Sequence, residues 1–188
     1  MNLPNKLTVL RLLLAPVFVA CLSLRFPGSF VLAFLIFLAA TLTDYLDGVI
    51  ARKHGLITDF GKLMDPLADK VLIAAAFICM IPLGAIPAWA VIAIIAREFL
   101  ITGLRLLAGS QGSVLPAEKI GKHKTAWQMA TIIFYLLLLA LGHGILPEHI
   151  WLLAWNIIGP WLVTITVILT LYSGLAYYCR NSHLIRTR

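Results

Sequence analysis

Runs of about 20 apolar residues, the length that crosses a bilayer's hydrocarbon core, follow one another along almost the whole chain. Six such segments can be drawn, over about residues 7–24, 30–51, 66–82, 86–108, 122–142 and 151–178. A soluble domain could not bury so much apolar sequence. The chain is 61% hydrophobic and 12% charged, with a mean hydropathy of +0.97, which is the composition of an integral membrane protein. The expected fold is therefore all-α, a six-helix transmembrane bundle formed by one domain over residues 1–188. The last segment is long enough to begin with an interfacial turn around Trp151 and Trp155. Trp89, Trp127 and Trp161 also read as interface anchors.

Lys and Arg placement sets the orientation, because cytoplasmic loops are enriched in both. Six spans put the N-terminus, the 52–65 and 105–124 connections and the C-terminal tail on one side. Fourteen of the 15 Lys and Arg residues fall on that side or at adjoining helix ends, and Arg25 alone falls opposite. Both termini are expected in the cytoplasm. The net charge of +7 then marks one face, suited to anionic headgroups and phosphorylated substrates. Cys21 and Cys79 lie in predicted spans, Cys179 lies at the end of the last, and none implies pairing. The residues before Cys21 only faintly imitate a lipoprotein cleavage site, and no removable signal peptide is expected.

Against this background stand the acids. Half of the eight Asp and Glu residues stand at the fixed positions of one pattern, Asp44-x2-Asp47-Gly48-x2-Ala51-Arg52-x8-Gly61-x3-Asp65-x3-Asp69. Residues three or four apart share a helix face. Asp44, Asp47, Gly48 and Ala51 form one stripe at the end of the second span, and Gly61, Asp65 and Asp69 form another at the start of the third. A short loop can fold the two stripes together. Four carboxylates brought to one pocket would repel one another unless cations lay between them. Oxygen-only ligation suits hard ions, so one or two Mg²⁺ or Mn²⁺ are favoured over Zn²⁺. Gly48, Ala51 and Gly61 leave the acid-bearing faces bare, and Arg52 adds a charge suited to phosphate. Taken singly, these features have plainer readings. Asp65-Pro66 could be a helix start, Asp47-Gly48 a turn, and Asp59 a loop acid without a catalytic role.

This spacing resembles the signature of the CDP-alcohol phosphatidyltransferases at all eight fixed positions. The resemblance implies a six-helix bundle, usually a homodimer, with an active site open to the cytoplasm. It implies that an alcohol displaces CMP from a CDP-linked lipid by direct displacement. Asp44, Asp47 and Asp65 would be metal ligands, and Asp69 the catalytic base and a further ligand. Gly48, Ala51, Arg52 and Gly61 would line the CDP pocket.

The acceptor must be read from other residues. Arg97, Arg105, Lys122 and Lys124, with Arg11, suggest an acceptor that carries its own phosphate. Glu98 could pair with Arg11 or Arg105. Three further patterns resemble the bacterial phosphatidylglycerophosphate synthases within that family: Asn5-x2-Thr8-x2-Arg11-x4-Pro16, Arg97-Glu98-x6-Arg105, and Gly121-Lys122-x-Lys124-Thr125. The resemblance implies CDP-diacylglycerol and glycerol 3-phosphate as substrates, in a bacterial cytoplasmic membrane. Arg105, Lys122 and Lys124 would hold the acceptor phosphate, supported by Arg97 and Arg11. Inositol phosphate or phosphatidylglycerol as acceptor, a divalent-cation transporter and an inactive scaffold are the rival readings. His123 and the other scattered histidines are assigned no role.

Overall fold

The computed structural model describes residues 3–54, 59–110 and 119–181. Within these, it leaves the side chains of residues 3–6, 45–54, 59–63, 110, 119–120, 122 and 143–144 outside the description. All of the regular structure among the described residues is helical. The order is α1 (Leu3–Leu24), α2 (Ser29–His54), α3 (Asp59–Met80), α4 (Ala88–Ser110), α5 (Lys119–Ile145) and α6 (Glu148–Leu153). A π-helical turn (Ala154–Ile158) then leads into α7 (Gly159–Asn181).

Glycine and proline set the turns at the end of the bundle remote from the aspartates. Between α1 and α2 the chain turns through Arg25 (φ 47°) and Gly28 (φ 80°), and between α3 and α4 through Gly84 (φ 71°). Arg25 Nη2 donates to the Pro82 carbonyl at 3.4 Å, tying these two turns together. Pro87 and Pro147 precede α4 and α6, and their carbonyls accept the first helical N–H groups. Pro66 behaves differently. Helix α3 begins at Asp59, so Pro66 lies inside it and Asp65 is not the residue that starts it. The plain helix-start reading of Asp65-Pro66 therefore falls away.

Helix α1 packs against α2 and α3, α2 also against α5, and α7 against α4 and α5. Phe18, Phe37, Phe77, Met80, Ile94 and Leu136 fill the core, with the Phe18 and Phe37 rings 5.9 Å apart. Ala15, Ala33, Ala40, Ala76 and Ala90 are buried among them and let the helices approach closely. The outer surface is apolar. Leu24, Phe99 and Leu106 are each at least 70% exposed, whereas Thr8, Arg11, Lys124 and Gln128 are buried. A protein that turns leucine outward and arginine inward has lipid for its solvent. Three helical stretches, Leu7–Leu24, His123–Gly142 and Glu148–Asn181, are long and apolar enough to cross a membrane.

A buried polar seam runs along the contact of α5 with α7. Lys124, Gln128, Thr131 and Tyr135 occupy one face of α5, and Thr166, Thr170, Ser173 and Tyr177 occupy one face of α7. The Thr131 and Thr166 hydroxyls lie 2.9 Å apart. Trp89 and Trp161 face outward, as interface anchors should. Trp151 and Trp155 instead stack on each other at 4.9 Å, and Trp155 packs edge-on against Tyr135.

The far end of the seam is tight. A Cβ on Gly159 would overlap the Tyr135 hydroxyl and stand 2.7 Å from its Cζ. Gly159→Ala is expected to cost about 1–3 kcal/mol through overpacking, seen as a lower thermal midpoint in detergent. The Tyr135 hydroxyl has no hydrogen-bond partner among the described residues. Tyr135→Phe should therefore leave stability unchanged or raised, and should recover part of the Gly159→Ala loss.

Candidate active site

Helix periodicity carries polar side chains from three helices to one end of the bundle. Thr8 and Arg11 lie one turn apart near the start of α1. Asp44 lies in the second half of α2, and Asp65 and Asp69 one turn apart in the first half of α3. The Thr8 hydroxyl donates to Asp65 Oδ1. Arg11 Nη1 reaches Asp44 Oδ1 at 2.6 Å and Asp69 Oδ1 at 2.7 Å. The arginine side chain is wholly buried, while the Asp44 and Asp69 side chains remain 35% and 42% exposed. The guanidinium thus neutralises the acids from beneath and leaves their outer lone pairs accessible.

Two helices thus supply Asp44, Asp65 and Asp69 as expected, although no three His, Cys, Asp or Glu residues form a ready ligand set among the described residues. Asp47, Gly48, Ala51 and Arg52 continue α2 beyond Asp44, and Gly61 lies one turn before Asp65 in α3. Their side-chain positions lie outside the described residues. The donors present are carboxylate oxygens, the type that hard divalent cations take. The Arg11 guanidinium spans Asp44 and Asp69 and supplies the positive charge between these two acids.

The cations expected to bind an acceptor form a second cluster on α4 and α5. Glu98 accepts from Lys124, and from Arg97 Nη1 at 3.3 Å. These are its partners rather than Arg11 or Arg105. Arg97 Nη2 donates to Ser173 Oγ at 3.0 Å, and Arg105 Nε to the Tyr177 hydroxyl at 3.3 Å. Lys124 is buried and gives one of its three donors to Glu98, while Arg105 is exposed. The Lys122 side chain lies outside the described residues. Arg11 belongs to the aspartate cluster, apart from Arg97, Arg105 and Lys124.

Sequence reasoning missed Lys70, Thr102, Ser173 and Tyr177. Lys70 Nζ donates to Thr102 Oγ1, which donates in turn to the Glu98 carbonyl at 2.7 Å. Lys70 was hidden among the cations that orient the protein. Ser173 and Tyr177 did carry a signal, the three- and four-residue recurrence Thr166, Thr170, Ser173, Tyr177 in an otherwise apolar helix.

Removing Arg11 would leave two carboxylates facing each other without their shared cation. Arg11→Met is expected to destabilise the protein by about 3 kcal/mol, the low end for a broken buried pair because both acids keep solvent contact. Thermal unfolding in detergent reads this loss. Asp44→Asn in the Arg11→Met background should restore part of it, since one repelling charge is then gone.

The sequence model for CDP-alcohol phosphatidyltransferases matches residues 1–176. The chain is 37% identical to a protein of Bacillus subtilis (strain 168) named CDP-diacylglycerol–glycerol-3-phosphate 3-phosphatidyltransferase, over 99% of this chain and 98% of that one. It is 34% identical to a Rickettsia bellii (strain RML369-C) protein of the same name, over 94% of this chain and 93% of the relative. It is 38% identical to a Mycobacterium tuberculosis (strain ATCC 25618 / H37Rv) protein named probable phosphatidylglycerophosphate synthase, over 95% of this chain and 81% of that one. With its eight signature residues intact and the match running from α1 into α7, the chain belongs to the CDP-alcohol phosphatidyltransferase family.

Proposed function

We propose that this protein transfers the phosphatidyl group of CDP-diacylglycerol to the primary hydroxyl of sn-glycerol 3-phosphate, giving phosphatidylglycerophosphate and CMP. The observation that carries this reading is the adjacency of two opposite clusters, Asp44–Asp65–Asp69 and Arg97–Arg105–Lys124. Asp69 and Lys70, consecutive on α3, contribute one to each side. Near-full-length relatives named for this activity support the same substrates.

Asp44, Asp47, Asp65 and Asp69 would hold Mg²⁺ or Mn²⁺, and bound divalent ions supply neutralisation of the donor's pyrophosphate and of the departing CMP. This chain's own residues do the rest. Gly48, Ala51, Arg52 and Gly61 line the CDP side. Arg11 and Thr8 hold the carboxylates in place. Asp69 accepts the proton of the acceptor hydroxyl. The hydroxyl oxygen forms its bond to the lipid-side phosphorus as the bond to CMP breaks, with no enzyme-bound intermediate. Arg105, Lys122, Lys124 and Arg97 hold the acceptor's phosphate. Arg11 serves through the aspartates.

The membrane setting is part of the proposal. Helices α2, α3 and α4 have 26, 22 and 23 residues, enough at about 1.5 Å per residue to cross a core of about 30 Å. With α1, α5 and α7 they make six spans, both termini cytoplasmic, in a bacterial cytoplasmic membrane with the site facing the cytoplasm. The 14-to-1 division of Lys and Arg supports this orientation. A homodimer is the assembly that the resemblance implies, and cross-linking in native membranes tests it.

CMP release by the purified protein is the deciding measurement, with glycerol 3-phosphate compared against inositol phosphate and phosphatidylglycerol. Release is expected with glycerol 3-phosphate and should stop on chelation of divalent ions. Release only with another acceptor would overturn the substrate assignment and keep the chemistry. Asp69→Asn should lower kcat about 10²–10⁴-fold, the worth of a positioned base, while CDP-diacylglycerol binding is retained. Normal turnover in that variant would remove Asp69 from the base role.

A further inference from the structure

Both arginines of α4 end on α7. Arg97 Nη2 donates to Ser173 Oγ at 3.0 Å. The Ser173 hydroxyl spends its own proton on the Thr170 carbonyl at 2.9 Å, so its lone pairs face Arg97. At the next residue, a Cβ on Gly174 would stand 2.8 Å from Arg97 Cγ. The bare backbone there makes room for the arginine stem. One turn on, the Tyr177 hydroxyl accepts from Arg105 Nε at 3.3 Å, and the Arg105 guanidinium carbon lies 5.6 Å from the centre of the tyrosine ring. Ser173 and Tyr177 are buried at 1% and 3% exposure, whereas Arg105 is exposed. An arginine held at its inner nitrogen and against a ring has its plane fixed. Its outer nitrogens keep the planar fork that matches phosphate oxygens.

We infer that α7 is a selectivity element of the acceptor site: Ser173, Gly174 and Tyr177 form a socket that aims Arg97 and Arg105 at a phosphate monoester on the acceptor alcohol. The inference rests on the acceptor reading given above. The three are positioning residues and act through the arginines. Holding both guanidinium groups ready lowers the ordering cost of binding a phosphorylated acceptor. It does nothing for the CDP-linked donor, whose proposed site lies on the other face of α3. The socket therefore affects one substrate of two, which separates it from a merely structural contact.

The test uses the full-length protein in detergent micelles containing CDP-diacylglycerol, measuring CMP release while each substrate is varied in turn. Tyr177→Phe keeps the ring and removes the hydroxyl, and Ser173→Ala removes the other acceptor. Each is expected to raise KM for glycerol 3-phosphate roughly three- to tenfold, the worth of one ordinary hydrogen bond, because the contact acts through the arginine. KM for CDP-diacylglycerol and kcat should hold. Gly174→Ala should move the same constant in the same direction, and Ser173→Thr, which keeps a hydroxyl, should recover it. Competitive inhibition by inorganic phosphate should weaken in parallel in Tyr177→Phe. An unchanged acceptor KM in Tyr177→Phe, or equal rises for both substrates, overturns the role of α7. Wild-type protein that releases no CMP with glycerol 3-phosphate overturns the functional reading itself. Wild-type activity with an acceptor KM raised by Arg105→Ala but not by the socket variants overturns the α7 inference alone.

Discussion

One buried guanidinium organises the end of the bundle where the aspartates meet. Arg11 on α1 has no exposed side-chain surface and reaches Asp44 on α2 and Asp69 on α3 through the same nitrogen. A charge taken out of water is costly unless it is paired, and so are acids crowded together. Each cost is relieved only if α1, α2 and α3 stand in one relative arrangement. Thr8, one turn away, adds a hydrogen bond to Asp65 that fixes α1 against α3 from a second point. In a lipid solvent, where apolar contact discriminates weakly between helix faces, such polar contacts set orientation as much as stability.

The two clusters are two sides of one helix. Consecutive helical residues point about 100° apart, so Asp69 turns to α1 and α2 while Lys70 turns to Thr102 on α4. A single turn of α3 thus carries negative charge toward the proposed donor site and positive charge toward the proposed acceptor site. Glu98 prevents the second cluster from being a bare collection of cations. It engages Lys124 and Arg97 and leaves Arg105 as the exposed member, held from α7.

Much of this arrangement was legible in the chain. The stripes Asp44–Asp47–Gly48–Ala51 and Gly61–Asp65–Asp69 follow from helix periodicity, and the structure joins Asp44 to Asp69 through Arg11, with Asp65 one turn from Asp69. The roles of Thr8 and Arg11 beneath the acids were not legible, because periodicity groups residues within a helix and says nothing of which helices touch. For the same reason Glu98 has different partners from those expected. Ser173 and Tyr177 were passed over for another cause: in an apolar helix a hydroxyl every third or fourth residue reads as packing glue until a partner arginine is seen opposite. The start of α3 at Asp59, with Pro66 inside the helix, also ran against local preference. In that position Pro66 has no N–H to give, and packing of α3 against α1 outweighs the lost bond.

The π-helical turn at Ala154–Ile158 bears on how the last helix is phased. A π turn is equivalent to one extra residue in an α-helix, so it rotates everything after it by about 100° relative to what precedes it. Upstream, Trp151 and Trp155 stack toward Tyr135. Downstream, Thr166, Thr170, Ser173 and Tyr177 share one buried face. Gly159 closes against Tyr135 at the joint. The turn works as a frame setting for α7. Without that extra residue, the tryptophans could keep their places only if the hydroxyl row swung out of the seam, carrying the arginine contacts with it. Single-residue insertions and deletions are therefore far more disruptive between Ala154 and Gly159 than helix length alone implies. Two compensating changes, one on each side of the socket, would cancel only downstream of the second.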